Sequence, residues 1–120
     1  MEHSVNMEWK AAILDLSKAI EYLPEKGELL FNLGTANIFN DQYSKGLYFT
    51  NESKKYFNDK NIYLSESYAH IQLGEYKKAE EKALIALSMF PTHLAPHLLL
   101  GEIYFYLGDK EKSKASLKNV

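Results

Sequence analysis

The side chains with most chemical reach are four histidines, His3, His70, His93 and His97. His93 and His97 stand four residues apart, the spacing that sets two ligands on one face of a helix. A zinc site needs further donors. The chain has no Cys, no HExxH glutamate lies between the two histidines, and no nearby Asp completes a set. The pair therefore reads as one histidine at a helix start and one on a surface. Glu80-Glu81, and Asp41 with Glu52, are expected at exposed positions and not as a facing pair in a cleft, so general acid–base work has no support. GxSxG, GxGxxG and GxxxxGK[ST] patterns are absent. All 14 basic residues are Lys, and the net charge is −2. Without Arg for bidentate phosphate or guanine contacts, a nucleic-acid module is disfavoured. Lys77, Lys78 and Lys82 are interleaved with Glu75, Glu80 and Glu81, which predicts a solvated helix face laced with i,i+4 pairs. The expectation is a non-enzymatic chain with no catalytic residue, no cofactor and no metal.

With the chemistry so thin, the helices themselves become informative. Asn61 to Pro91 reads as two amphipathic helices joined by a tight turn. Leu64, Tyr68, Ile71 and Gln72 keep helical spacing in the first, and Gly74 supplies a left-handed C-terminus. Ala79, Ala83, Ala86 and Leu87 form a narrow stripe in the second, which Pro91 stops.

One hairpin cannot bury its own apolar face, and this one recurs. The residue opening the second helix is Trp9, Tyr43, Tyr76 and then Lys110, at intervals of 34, 33 and 34. A small position three residues on gives Ala12, Gly46, Ala79 and Ser113 in the same register. The next small position gives Ala19, Ser53, Ala86 and Val120. Gly34, Ser67 and Gly101 mark the first helix, and Pro24, Asn58 and Pro91 the close of the second. The shorter interval places a one-residue deletion at the Asn58-Asp59 turn.

In order, Glu8 to Leu23 is expected to be a second helix without its first, striped by Trp9, Ala12, Ile13, Leu16, Ala19, Ile20 and Leu23. Pro24 to Gly27 is a turn, Glu28 to Phe39 a first helix, and Asn40-Asp41-Gln42 stands in for the glycine turn. Tyr43 to Phe57 is the matching second helix. Gly46, Thr50, Asn51 and Ser53 are poor helix formers there, so it is expected to be locally soft. After the Asn61–Pro91 hairpin, Thr92 is expected to cap a helix with Pro96 in its first turn, running to Leu107. Gly108-Asp109 turns the chain, and Lys110 to about Asn119 begins another second helix.

At 120 residues and 46% apolar, the chain suits one packed domain. No run of 18 apolar residues and no signal-peptide pattern is present, so no membrane contact is expected of this domain itself. Both ends fall inside repeat units: 8–26 partial, 27–59, 60–93 and 94–120 partial. The expectation is a piece of a longer protein, with a free-standing short protein that pairs through open ends, a homo-oligomer, as the alternative.

Leu73-Gly74-Glu75-Tyr76 with Ala79, Ala86 and Pro91, then Gly101, Tyr104 and Leu107-Gly108-Asp109, resembles the tetratricopeptide repeat family across residues 9 to 120. The resemblance implies an all-α, right-handed solenoid of about three and a half helical hairpins, seven helices, acting as a protein-interaction module. More narrowly, LPEKGELLFNLG, LGEYKKAEEKA and MFPTHLAPHLLLGEIYFYLGD are similar to the C-terminal repeat region of O-antigen ligase-like membrane proteins. That would place the chain beside a glycopolymer ligase on the periplasmic side of a bacterial envelope. The alternative is a scaffold or cochaperone-like adaptor, and the residues leave a cytoplasmic location open. The ligase family's catalytic residues lie in its membrane portion and none maps here.

The resemblance also implies a concave groove lined by the first helices. Its positions are Phe31, Thr35 and Phe39, then Leu64, Tyr68 and Gln72, then Leu98, Glu102 and Tyr106. Chaperone-binding members clamp a terminal carboxylate with Lys and Asn. The corresponding positions here hold Phe31, Thr35, Ser65, Ala95 and Leu99, so that clamp is missing. Two readings stay open: a docking surface for a helix or extended protein segment, or aromatics that pack against neighbouring helices.

Overall fold

The computed structural model describes residues 10–15, 18 and 26–120. Within them lie six bounded helices: α1 Lys26–Phe39, α2 Tyr43–Ser53, α3 Lys60–Gln72, α4 Tyr76–Met89, α5 Leu94–Tyr106 and α6 Lys110–Leu117. Residues 10–15 and 18 are also helical, which makes seven helices, and no strand occurs among the described residues. The rest of the Glu8–Leu23 expectation, with Trp9, Leu16, Ala19, Ile20, Leu23 and Pro24, lies outside the described residues. The chain divides into two compact units at Asn58–Asp59.

In the N-terminal unit, α1 packs antiparallel on α2 and buries Leu33, Ala36 and Ile38. The helices meet at Gly34 and Gly46. A Cβ on Gly34 would lie 2.9 Å from the Gly46 carbonyl oxygen, and one on Gly46 would lie 2.8 Å from that of Gly34. Backbone thus meets backbone, and no larger residue fits. Two expected boundaries move. Gly27 is not in a turn but inside α1, buried where a Cβ would come within 2.7 Å of Tyr56 and Phe57. The second helix ends at Ser53, not Phe57. Thr50 Oγ1 donates to the Leu47 carbonyl and Ser53 Oγ to that of Thr50, so hydroxyls occupy acceptors near the helix end.

In the C-terminal unit, α3 pairs with α4 and α5 with α6, and α5 lies against both α4 and α3. Ile71, Ala79, Ala83, Leu100 and Ile103 form its core, with Tyr76, Leu87, Leu99 and Tyr104 against them. Full burial of a side chain such as Ile103 is worth about 1.5–3 kcal/mol. The small-residue columns again mark the crossings. Ser67 Oγ donates to the Ala79 carbonyl (2.9 Å), and Ser113 Oγ donates to that of Gly101 (2.8 Å).

All three turns use the same paired backbone bonds. The sixth residue's N–H reaches back to the first carbonyl in Gln42→Asn37 (2.8 Å), Glu75→His70 (2.8 Å) and Asp109→Tyr104 (2.9 Å). This closure needs one left-handed residue. Gly74 (φ 76°) and Gly108 (φ 80°) supply it, and Asp41 (φ 61°) does so in the first hairpin. The start of α5 corrects one expectation: its cap is His93, not Thr92. The His93 ring Nδ1 accepts from the Ala95 N–H (3.2 Å), because the helix begins at Leu94 and Thr92 stands one residue too early. The same helix ends at Tyr106, with Leu107 as its cap residue.

Candidate functional site

Each expected groove triplet occupies positions i, i+4 and i+8 of one helix, which keeps its members on one side. On α1, Phe31 and Thr35 are half-buried and Phe39 is exposed. The Phe31 ring meets Phe57 edge-on at 6.2 Å, and Thr35 Oγ1 is buried. These belong to the N-terminal unit.

In the C-terminal unit, Leu64 on α3 is half-buried, Tyr68 is 37% exposed, and Gln72 is exposed. On α5, Leu98, Glu102 and Tyr106 are all exposed. Tyr106 stacks on Tyr76 with ring centres 4.9 Å apart and planes within 9°. Two of the aromatic groove positions, Phe31 and Tyr106, are thus already held by rings of their own unit. Tyr76 was legible in the sequence only as the residue that opens α4. Nothing in its neighbourhood marks a ring partner 30 positions downstream. Of the residues at clamp positions, Leu99 packs on the core, while Ser65 and Ala95 are half-buried.

The histidines go to separate structural tasks. The buried His70 ring pairs with Glu75 Oε1 (3.0 Å) across the α3–α4 turn, and this contact, ahead of Lys78, holds the Glu75 carboxyl below its ordinary range. His93 caps α5, and the His97 ring meets the Pro91 carbonyl (3.2 Å). His3 lies outside the described residues. Among the described residues no three His, Asp or Glu side chains gather in a metal-binding group.

The charged face also differs from expectation. Lys78–Glu75 (3.4 Å) and Lys77–Glu80 (3.9 Å) are i,i+3 pairs, and Lys82 crosses the hairpin to the buried Glu66 (3.7 Å). Glu80 is half-buried instead of solvated, and accepts a hydrogen bond from the Tyr104 hydroxyl. Burial first, and then this carboxylate, pushes the Tyr104 pKa up to about 12. Glu52 pairs with Lys55 (2.9 Å), and Asp41 accepts from the Tyr43 hydroxyl (3.0 Å).

The tetratricopeptide repeat pattern matches residues 95–120. No curated protein sequence matches the chain. Among solved structures, MamA MSR-1 aligns with a TM-score of 0.81 at 18% identity, covering 93% of this chain and 65% of its own. A crystal structure of MamA aligns with 0.81 at 20% identity, covering 92% and 66%. MamA AMB-1 aligns with 0.75 at 18% identity, covering 87% and 62%. The chain thus spans under two thirds of the length of these relatives. At such identity the likeness concerns the fold: an all-helical, tetratricopeptide-type solenoid whose last hairpin carries the repeat pattern itself.

Proposed function

We propose that this chain is a non-catalytic scaffold that docks a protein or peptide segment on the exposed faces of its first helices. The supporting observation is the display on α3 and α5: Tyr68, Leu98 and Tyr106 remain exposed while Ile71, Leu100 and Ile103 on the same helices are buried. The surface is apolar and aromatic, with Gln72 and Glu102 as its polar groups. Recognition would come from side-chain anchors and not from a carboxylate clamp. Phe31, Thr35, Phe39 and Leu64 belong to the same proposed set.

Tyr68 is the anchor to test. A partner recovered with the purified chain should lose at least about tenfold affinity for Tyr68→Ala, as expected of a hot spot worth about 2 kcal/mol. Its affinity should change little between low and moderate salt, because few ion pairs contribute. A partner that ignores Tyr68, or whose affinity collapses with salt, would move binding to the lysine-bearing helices.

The narrower reading, the repeat portion of an O-antigen ligase-like envelope protein, rests on the resemblance in LPEKGELLFNLG and MFPTHLAPHLLLGEIYFYLGD. A free-standing scaffold or adaptor fits the fold comparisons equally. An upstream block of apolar spans in the complete gene would favour the first, and its absence the second.

A further inference from the structure

Because the hairpins repeat, the surface that α5 covers on the α3–α4 hairpin has a copy on the α5–α6 hairpin. At an offset of 34 residues, Ile71 corresponds to Phe105, Ala79 to Ser113 and Ala83 to Leu117. Ile71, Ala79 and Ala83 are buried together with Leu100 and Ile103 of α5. Their counterparts are open: Phe105 is 69% and Leu117 47% exposed. They line a cavity of about 330 Å³ whose floor is Gly101 and Ser113 and whose wall includes Leu98 and Tyr106. Lys110 and Lys114 stand on α6 beside Ser113 and Leu117, one turn away on the same side, and both are exposed.

We infer that this end face docks an amphipathic helix of a partner protein. Its buried stripe would follow the pattern by which α5 covers the preceding hairpin, Leu99-Leu100 followed by Ile103-Tyr104, and its flank would be acidic. The template is internal: the same geometry, one repeat earlier, is already filled by that pattern. The basic rim of α6 selects the acidic flank. A second copy is not the occupant, because among the described residues the equivalent stripes are already buried: Leu33, Ala36 and Asn37 on α1, Glu66, Ala69 and His70 on α3, and Leu100 and Ile103 on α5.

The probe is a synthetic peptide of residues 92–109 with a glutamate added at each end, titrated into the whole chain. Saturable binding is expected, with amide shifts clustered at Gly101, Phe105, Ser113 and Leu117. Phe105→Glu and Leu117→Glu should each weaken it at least about tenfold. Tyr68→Ala should bind as the wild type does, which separates this face from the groove proposed above. Phe105→Glu changes an exposed side chain, so it carries the test if Leu117→Glu fails to fold. No saturable binding, shifts centred elsewhere, or unchanged affinity in Phe105→Glu would overturn the inference. So would self-association of the chain that Phe105→Glu abolishes, since a second copy would then be the occupant.

Discussion

The α1–α2 and α3–α4 hairpins satisfy the same two geometric demands with different atoms. At the crossing, the first brings Gly34 against Gly46 with no side chain between them, while the second places Ser67 against Ala79 and adds a hydroxyl-to-carbonyl bond. At the turn, the first holds Asp41 in the left-handed region and the second uses Gly74. The α5–α6 hairpin reverses the chemistry of the crossing, since its hydroxyl comes from the second helix, Ser113, and its bare backbone from the first, Gly101. The repeat therefore fixes the distance between helices and the sign of one φ. How each is met is left to the residues at hand.

Adding one carbon at each crossing should break this comparison most sharply. Gly46→Ala drives a Cβ into the Gly34 carbonyl and Ile38, where backbone cannot yield, and should cost about 1–3 kcal/mol. Gly101→Ala meets only the Leu117 side chain, whose exposed end can swing aside, and should cost within about 0.5 kcal/mol. Denaturant unfolding of the two variants measures the gap. Equal losses would show that the third crossing is as rigid as the first.

Removing the hydroxyl comes next. Ser67→Ala deletes the buried bond to the Ala79 carbonyl and should cost about 1 kcal/mol. Amide exchange should then quicken in α3 and α4 and stay unchanged in α1 and α2, whose crossing has no such bond. A variant as stable as the parent would mean that close approach alone holds these hairpins.

The turns should respond in opposite directions. A non-glycine residue in the left-handed region costs about 1–2 kcal/mol, partly relieved for Asp. Asp41→Gly removes that strain but also loosens the unfolded chain and drops the Tyr43 contact, so the net gain should stay below about 1 kcal/mol. Gly74→Ala should lose about 1 kcal/mol. Thermal melts of both settle whether Asp41 is tolerated or preferred.

These sites also divide what the sequence made legible from what it hid. The columns Gly34/Ser67/Gly101 and Gly46/Ala79/Ser113 were readable because helix crossings restrict residue size, and size recurs. The Asn40-Asp41-Gln42 turn was readable because Asp tolerates the left-handed region. The capping role of His93 was not, because Thr92 has the better intrinsic propensity and only the position of Leu94 as the first helical residue decides between them. The early end of α2 depends on where the Thr50 and Ser53 hydroxyls turn, and two rotamers settle that. At the candidate groove, sequence spacing located the helix faces correctly. It could not show that Phe31 and Tyr106 already lean on Phe57 and Tyr76, contacts made by residues far apart in the chain.

The smallest effect is silent at neutral pH and belongs to the C-terminal unit alone. Tyr104 is held protonated by burial and by the Glu80 carboxylate, with a pKa of about 12 against an ordinary 10.0. The folded state therefore keeps this proton over a range where the unfolded chain releases it. The stabilisation is fully present below about pH 10 and is lost as pH rises through about 12. At the equivalent places the N-terminal unit has Asn37 and Leu47, which do not titrate. Unfolding of α3–α6, followed site by site through amide exchange, should become easier across this window, and Tyr104→Phe should flatten that response. Glu80→Gln should move the tyrosine's titration only part of the way back, because burial, the larger cause, remains. A full return to the ordinary value would make the carboxylate the main cause, and the Tyr104 environment would be wetter than its packing on Ile71 and Ala83 implies.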